Sequence, residues 1–155
     1  MALSFGISFG PNHPREVAEW CRASEDAGFE RIGLVDSQAI YRELYISCVA
    51  GMQATKSIQL GPRVTNALTR HPTVTASALL TLNELAPGRV FAGLGTGDSA
   101  VFNIGLKPVK LAALGEFTAC LRALLRGENT NYQGHELRLT WGKADIPIYI
   151  YGETR

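Results

Sequence analysis

Hydrophobic and polar positions along this chain alternate between short apolar runs and longer stretches with helical periodicity. Each apolar run ends in polar or glycine residues, and the stretch after it carries apolar residues three and four positions apart, as an amphipathic helix does. In the first such stretch, Pro14 suits the first helical position and Gly28 lies just past the last one. The pattern therefore predicts strands that alternate with helices.

Five strands and four helices follow from this pattern. We predict strands at 3–9, 31–35, 57–64, 89–94 and 146–151, and helices at 14–27, 43–55, 72–85 and 111–126. Residues 130–139 are predicted to form a small hairpin or lid that turns near Gly134.

The alternation of strands and helices is typical of a parallel sheet with right-handed crossovers. A doubly wound sheet and a (β/α)8 barrel both fit it. The first four strand starts are spaced close to the repeat of a barrel, about 31 residues per strand–helix unit. We therefore predict an α/β fold of the parallel (β/α) TIM-barrel type. The chain, residues 1–155, would form one domain that makes up about half of a (β/α)8 barrel.

Composition narrows the class of protein. A hydrophobic content of 46% and a charged content of 19% suit a globular core. With a net charge of +1 and scattered cations, we expect no nucleic-acid or membrane partner. Cys21, Cys48 and Cys120 lack metal-ligand spacing, so we predict no metal and interpret them as buried thiols. Because the first strand begins close to Met1, we expect no signal peptide and a cytoplasmic location.

The candidate binding residues all follow a predicted strand. In parallel α/β folds, ligands bind at the carboxyl ends of the strands, which here would share one rim. Small hydroxyls, carboxylates and backbone free of bulky side chains at such a rim suit a large planar cofactor with a phosphate-bearing tail. The strand-end residues are Gly10 after strand one, Asp36 after strand two, Thr65 and Asn66 after strand three, Gly95, Thr96, Gly97 and Asp98 after strand four, and Gly152 and Thr154 after strand five.

At these residues the chain resembles a known family. Residues 64–101, VTNALTRHPTVTASALLTLNELAPGRVFAGLGTGDSAV, look like the bacterial luciferase-like monooxygenase family. Within it, they are similar to the branch of methylenetetrahydromethanopterin reductases, which use FMN or the deazaflavin coenzyme F420. GFERIGLVDSQ and LLRGENTNYQGHELRL match the same branch in order. The resemblance covers about residues 3–154 and only the N-terminal half of a barrel roughly twice this length.

The resemblance implies a function and a cofactor. It implies an oxidoreductase that transfers a hydride between coenzyme F420 or FMN and a small-molecule organic substrate, and we favour coenzyme F420 slightly. It also implies that Thr65 and Asn66 line the isoalloxazine face. The Arg63–Val64 bond would be cis and would back the ring, although relatives mostly carry Gly or Ser where this chain has Arg63.

The resemblance also suggests candidate catalytic and phosphate-binding residues. Asp98 matches an acid proposed as proton donor or acceptor in glucose-6-phosphate dehydrogenase relatives. Asp36 lies where relatives often carry Asp-His, but Ser37 replaces the histidine here. Gly152 and Thr154 look like the start of the phosphate-gripping segment. The residues alone leave simpler roles open, because Asp98 could cap a helix and Asp36 a loop.

Other candidate residues have structural interpretations that compete with binding. Gly95 and Gly97 could serve a tight turn, although close approach of a ring needs the same property. We interpret Arg70-His71-Pro72 as a helix start and assign His71 no chemistry, and we treat His13 and His135 in the same way.

Three functions remain open. The first is the oxidoreductase, the second a non-catalytic half-barrel that binds a partner half, and the third a protein that stores flavin without turnover. A half-barrel would leave two sheet edges and an apolar interior uncovered, so we expect a homo-oligomer or a complementary C-terminal half. Side chains expected to point inward or to pack against helices are Phe5, Ile7, Leu34, Leu60, Phe91 and Leu94.

Overall fold

The computed structural model describes residues 3–151, and it contains parallel strands linked by helices. The strands are β1 (Gly6–Phe9), β2 (Arg31–Leu34), β3 (Gln59–Pro62), β4 (Thr65–Asn66), β5 (Ala92–Gly95), β6 (Thr130–Tyr132), β7 (His135–Leu137) and β8 (Ile148–Ile150). The helices are α1 (Pro14–Asp26), α2 (Leu44–Ala54), α3 (Pro72–Leu85), α4 (Ser99–Phe102) and α5 (Leu111–Leu125).

The parallel strands lie in the order of a barrel wall. β1, β2 and β3 form one parallel sheet, and β4, β5 and β8 form another. A parallel bridge between Leu60 and Val90 joins the two sheets. In the part of the chain that the structure describes, β1 and β8 each pair on one side only. The predicted fold class, a parallel α/β half-barrel, is confirmed.

The core lies between the convex side of these sheets and the helices. Leu34, Leu60 and Leu94 are fully buried there, in one cluster with Phe117 of α5. These three leucines therefore pack against helices, and Ile7 lies partly buried against the same cluster. Phe91 lines the concave side instead, whereas Phe5 remains 60% exposed.

Strand three differs from its prediction as one continuous strand. β3 ends at Pro62, the Arg63–Val64 bond is cis, and the chain resumes as β4 at Thr65. The predicted cis bond is confirmed. At the break, the backbone N–H of Arg63 donates to the carbonyl of Leu34, so the chain still follows β2.

Other boundaries move by a few residues. The first strand begins at Gly6, where pairing with Arg31 begins, and not at residue 3. The last strand is shorter than predicted, spanning Ile148–Ile150, and the short helix α4 was not predicted. The hairpin is confirmed as antiparallel β6 and β7, with Gly134 at a φ of 83°.

Two histidines begin helices, as the sequence indicated. His13 and His71 are the N-cap residues of α1 and α3, and the Nδ1 atom of each accepts a backbone N–H two residues on. Cys21, Cys48 and Cys120 are free and buried, as predicted. No helix of residues 3–151 is long and apolar enough to cross a membrane.

Glu25 fastens the end of α1 to the start of β3. Its carboxylate accepts hydrogen bonds from the backbone N–H groups of Lys56, Ser57 and Ile58 and from the Ser57 hydroxyl. Burial raises the pKa of Glu25, but the hydrogen bonds outweigh burial and lower the pKa to about 2. These donors therefore bind the Glu25 carboxylate more strongly in its ionised form than in its protonated form.

We expect Glu25→Gln to lower the free energy of unfolding by about 1.5 kcal/mol at neutral pH, as loss of hydrogen bonds to a charged group does. Because the folded-state pKa is depressed, this contribution is present above the unfolded pKa and is lost as pH falls from about 4.5 towards 2. Urea unfolding across this pH range measures it. Glu19→Gln on the exposed part of α1 is the control, and equal losses in both variants would contradict the interpretation.

Candidate functional site

A cleft of about 460 Å³ opens at the carboxyl ends of β4 and β5. Its wall includes eight of the residues that the sequence singled out, and the topology brings them together. They are Arg63, Val64, Thr65, Asn66, Gly95, Thr96, Gly97 and Asp98. The remaining lining residues include Ser99, Phe102, Pro108 and Tyr151.

Glycines keep one wall of the cleft close to the backbone. Asn66 of β4 pairs with Gly95 of β5. A Cβ atom on Gly95 would lie 2.9 Å from Cγ2 of Val64, which is too close without a shift. Gly97 has a φ of 110°, a conformation that side chains of L-residues rarely adopt. Gly95 therefore serves close packing against Val64, and Gly97 serves the turn.

Asn66 is buried and fixed by the loop that follows it. Its Oδ1 atom accepts the backbone N–H groups of Leu68 and Thr69, each at 2.9 Å. Because the oxygen is occupied twice, the Nδ2 group is left as the donor of this side chain.

Asp36 lies beneath the rim, and it is not among the residues that line the cleft. Its side chain is 3% exposed, and Oδ2 accepts hydrogen bonds from the Thr65 hydroxyl at 2.7 Å and from Arg70. Arg70 also donates to Glu43 at 2.8 Å and stacks on the Tyr45 ring. The geometry is that of a residue that positions Thr65. Cofactor contact and catalysis by Asp36 remain predictions.

The surroundings of Arg70 keep its guanidinium in the charged form. Burial opposes the charge of Arg70, but the carboxylate of Asp36, with contributions from Tyr45 and Glu43, raises the pKa of Arg70 above its usual value. Burial raises the pKa of the Tyr45 phenol. Arg70 is thus a permanent cation that joins the end of β2, the start of α2 and the loop before α3.

Asp98 stands at the mouth of the cleft. It occupies the N-cap position of α4, yet its side chain makes no capping hydrogen bond. The simpler interpretation of Asp98 as a side-chain cap is therefore not what the geometry shows. Ser99 beside it donates to the Ser37 hydroxyl at 2.9 Å, which ties the rim after β5 to the rim after β2. The catalytic role of Asp98 remains a prediction.

Three further predicted residues are not among the described residues of the cleft. Gly10 is not among the cleft residues, and a Cβ atom there would overlap the Tyr41 ring, so close packing explains this glycine. Cofactor contact at Gly10 remains a prediction without support from the cleft. Gly152 and Thr154 lie outside the described residues.

Sequence reasoning missed several contributors to the site. Arg70 was interpreted only as part of a helix start, although it is the cation that pairs with Asp36. Phe102 and Pro108 line the cleft from a segment that had no predicted role, and Tyr151 was predicted only as the last residue of the fifth strand. Only the pairing of distant segments in the structure reveals these residues. Residues 3–151 contain no group of three or more histidine, cysteine or acidic side chains placed to hold a metal ion.

Solved structures share this fold. The coenzyme F420-dependent tetrahydromethanopterin reductase from Methanopyrus kandleri superposes with a TM-score of 0.82 at 29% identity, covering 97% of this chain and 50% of that one. An F420-dependent secondary alcohol dehydrogenase, at 20% identity, has a TM-score of 0.76 over 97% of this chain and 53% of its own, which shows the fold alone.

Curated relatives and a family profile agree with the structures. The 5,10-methylenetetrahydromethanopterin reductase of Methanolobus tindarius is 33% identical over 96% of this chain and 48% of its own length. The F420-dependent glucose-6-phosphate dehydrogenase of Segniliparus rotundus is 30% identical over 96% of this chain and 50% of its own. The chain thus spans about half the length of the curated relatives it matches. The profile described as luciferase-like monooxygenase matches residues 3–154, and the chain belongs to that family.

Proposed function

We propose that this chain supplies the cofactor-binding rim of an oxidoreductase that uses coenzyme F420 and acts on a small organic substrate. The observation that carries the proposal is the cleft at the carboxyl ends of β4 and β5, with its glycine wall beside Val64. Ligands of parallel α/β folds bind at that end of the strands.

The residues present fit a planar cofactor. Gly95 adds no side chain beside Val64, where a ring would need to approach, and Asn66 offers an amide donor held by its loop. Relatives near 30% identity support the deazaflavin, because one is described as coenzyme F420-dependent and another as F420-dependent. A solved structure of a type II Baeyer–Villiger monooxygenase from Pseudomonas putida, in complex with FMN, is only 16% identical to this chain and supports the fold alone.

Different residues of the chain would hold the cofactor, position its neighbours and carry a proton. When bound, the cofactor supplies a carbon that exchanges a hydride with the substrate. Asn66 and the backbone of Gly95–Gly97 would hold the ring, and the Arg70–Asp36 pair would keep Thr65 in place. Asp98, exposed at the mouth of the cleft, would hold or release a proton at its carboxylate.

Titration of the purified chain with coenzyme F420 and with FMN, followed by fluorescence, tests the proposal. We expect saturable binding of coenzyme F420 that is tighter than that of FMN. Gly95→Ala should weaken it about tenfold, equivalent to about 1.4 kcal/mol, because the new methyl group lies against Val64 in the cleft wall. Gly115→Ala is the matched control, since a Cβ atom there meets nothing within 4 Å.

The possible results separate the alternatives. Tighter binding of FMN than of coenzyme F420 would reverse the choice of cofactor. An unchanged cofactor affinity in Gly95→Ala would show that the ring does not bind in this cleft. A folded chain that binds neither cofactor would favour the non-catalytic half-barrel. If the complete assembly binds a cofactor but does not turn over any substrate, that result would favour the protein that stores flavin.

A further inference from the structure

Arg63 lies between two cavities of the described chain. One is the cleft at the carboxyl ends of β4 and β5. The other, of about 300 Å³, is the inner cavity on the concave side of the strands. Three residues line both cavities, Arg63, Val64 and Tyr151. Arg63 and Val64 come directly before β4 and separate the cleft from the inner cavity, and we call these two residues the floor of the cleft.

The neighbouring strands make room for the Arg63 side chain. The backbone N–H of Arg63 donates to the carbonyl of Leu34 at 2.8 Å. A Cβ atom on Gly33 would overlap the Cβ atom of Arg63 and lie 2.8 Å from its Cδ atom, so the stem of the arginine crosses β2 where that strand has no side chain. A Cβ atom on Gly93 would lie 3.5 Å from the Cα atom of Arg63. The packing therefore accommodates a long cationic side chain at the floor.

Arg63 gives the cleft a positive charge at its floor. Among the described residues that line the cleft, Arg63 is the cation and Asp98, at the mouth, is the carboxylate. These two described side chains form no ion pair with each other. The other titratable side chains in the described lining of the two cavities are Arg31, Tyr149 and Tyr151. A guanidinium stays charged at every pH that proteins tolerate, and its plane stacks on ring faces.

The two candidate cofactors differ in the charge of their oxidised rings. The 8-hydroxyl group of coenzyme F420 ionises near neutral pH, and its negative charge is shared through the conjugated deazaflavin ring. The oxidised ring of FMN lacks this hydroxyl and is neutral. Because a nearby opposite charge stabilises an ionised group, a cation at the floor of the cleft favours the deazaflavin.

We propose that Arg63 is a specificity-determining residue, which selects the ionised 8-hydroxydeazaflavin ring over the neutral ring of FMN. The inference rests on the proposed function, since it requires the ring to bind in the cleft, and it assigns the choice of cofactor to the charge of one side chain. Arg63 is exposed in the described chain. Solvent and salt therefore screen its charge, and we expect a moderate contribution of about fivefold in affinity.

The probes for the test are 8-hydroxy-5-deazariboflavin and riboflavin, because neither carries a phosphate tail. Fluorescence titration of the purified chain at low salt and mildly alkaline pH gives both affinities. We expect Arg63→Gln to lower the preference for the deazaflavin about fivefold, by weakening deazaflavin binding and not riboflavin binding. Arg63→Lys keeps the charge and should retain most of the preference. Arg31→Gln is the matched control, because Arg31 lines the inner cavity and not the cleft, and it should leave the preference unchanged.

The visible absorption of the bound deazaflavin provides a second measurement, because it reports whether the 8-hydroxyl group is ionised. If Arg63 binds the ionised ring about fivefold more tightly, linkage lowers the pKa of the bound ring by about 0.7. We therefore expect the ring bound to Arg63→Gln to ionise at a pH about 0.7 higher than the ring bound to the unmodified chain. A loss of packing that affects both ring forms equally would not change this pH.

Each other result overturns the inference. Equal weakening of both probes in Arg63→Gln would indicate a role in packing, and an equal loss of preference in Arg31→Gln would show that the floor position is not what selects the ring. A folded chain that binds neither probe would overturn the proposed function together with this inference. Binding of both probes with an unchanged preference in Arg63→Gln would overturn this inference alone.

Salt provides the same test on the unmodified chain if Arg63→Gln does not fold. Added salt screens the Arg63 guanidinium, so it should weaken binding of the ionised deazaflavin more than binding of riboflavin. Equal weakening of both probes would contradict the inference.

Discussion

Replacing Arg70 by methionine should lower the free energy of unfolding by about 3–5 kcal/mol, the cost of leaving a buried charge without its partner. The side chain of Asp36 is only 3% exposed. Without Arg70, its Oδ2 atom would keep only the hydrogen bond from the Thr65 hydroxyl. The link from β2 to Glu43 at the start of α2 would be lost as well. Urea or thermal unfolding measures the change.

Two further variants identify the cause of that loss. Arg42→Met removes an exposed arginine from the same region and should change stability by no more than about 0.5 kcal/mol. Adding Asp36→Asn to Arg70→Met should recover part of the stability, because the unpaired buried charge is then gone. A loss in Arg70→Met no larger than in Arg42→Met would show that the buried pair is not what stabilises this rim.

The fold was predictable because its signals are local. Pro14 and Gly28 bound the first helix, and the spacing of strand starts indicated a barrel repeat. The break in strand three was not visible in hydrophobicity, since residues 57–64 read as one run. The cis bond at Arg63–Val64 was anticipated only from the family resemblance, because peptide geometry leaves no periodic signal.

The site was predictable as far as topology determines it. Thr65, Asn66 and Gly95 follow parallel strands, so their proximity in one cleft follows from the strand order. Asp36 also follows a strand, yet its carboxylate accepts a hydrogen bond from Arg70, which lies 34 positions further along the chain. Such pairing depends on how loops pack between elements, and no pattern along the chain encodes it. The assignment of each side chain to the rim or to its support therefore required the structure.

Glycine at position 61 is required by the approach of two strands below the cleft. A Cβ atom on Gly61 would overlap the carbonyl oxygen of Phe91 and lie 2.9 Å from the carbonyl carbon. The obstacle is backbone, which cannot rotate away as a side chain can. β3 and the segment leading into β5 would have to separate where the Leu60–Val90 bridge joins the two sheets.

We therefore expect Gly61→Ala to lower the free energy of unfolding by about 3 kcal/mol, at the upper end for overpacking of a core. The same substitution at Gly115 should instead stabilise the chain by about 0.5–1 kcal/mol, because that glycine lies within α5 and a Cβ atom there meets nothing within 4 Å. Chemical denaturation of both variants measures these two changes in the free energy of unfolding, which should have opposite signs. If Gly61→Ala were as stable as the unmodified chain, the two sheets would not be packed as closely as their register indicates. Because Val64 and Gly95 lie just beyond this junction, Gly61→Ala should also weaken cofactor binding, whereas Gly115→Ala should not.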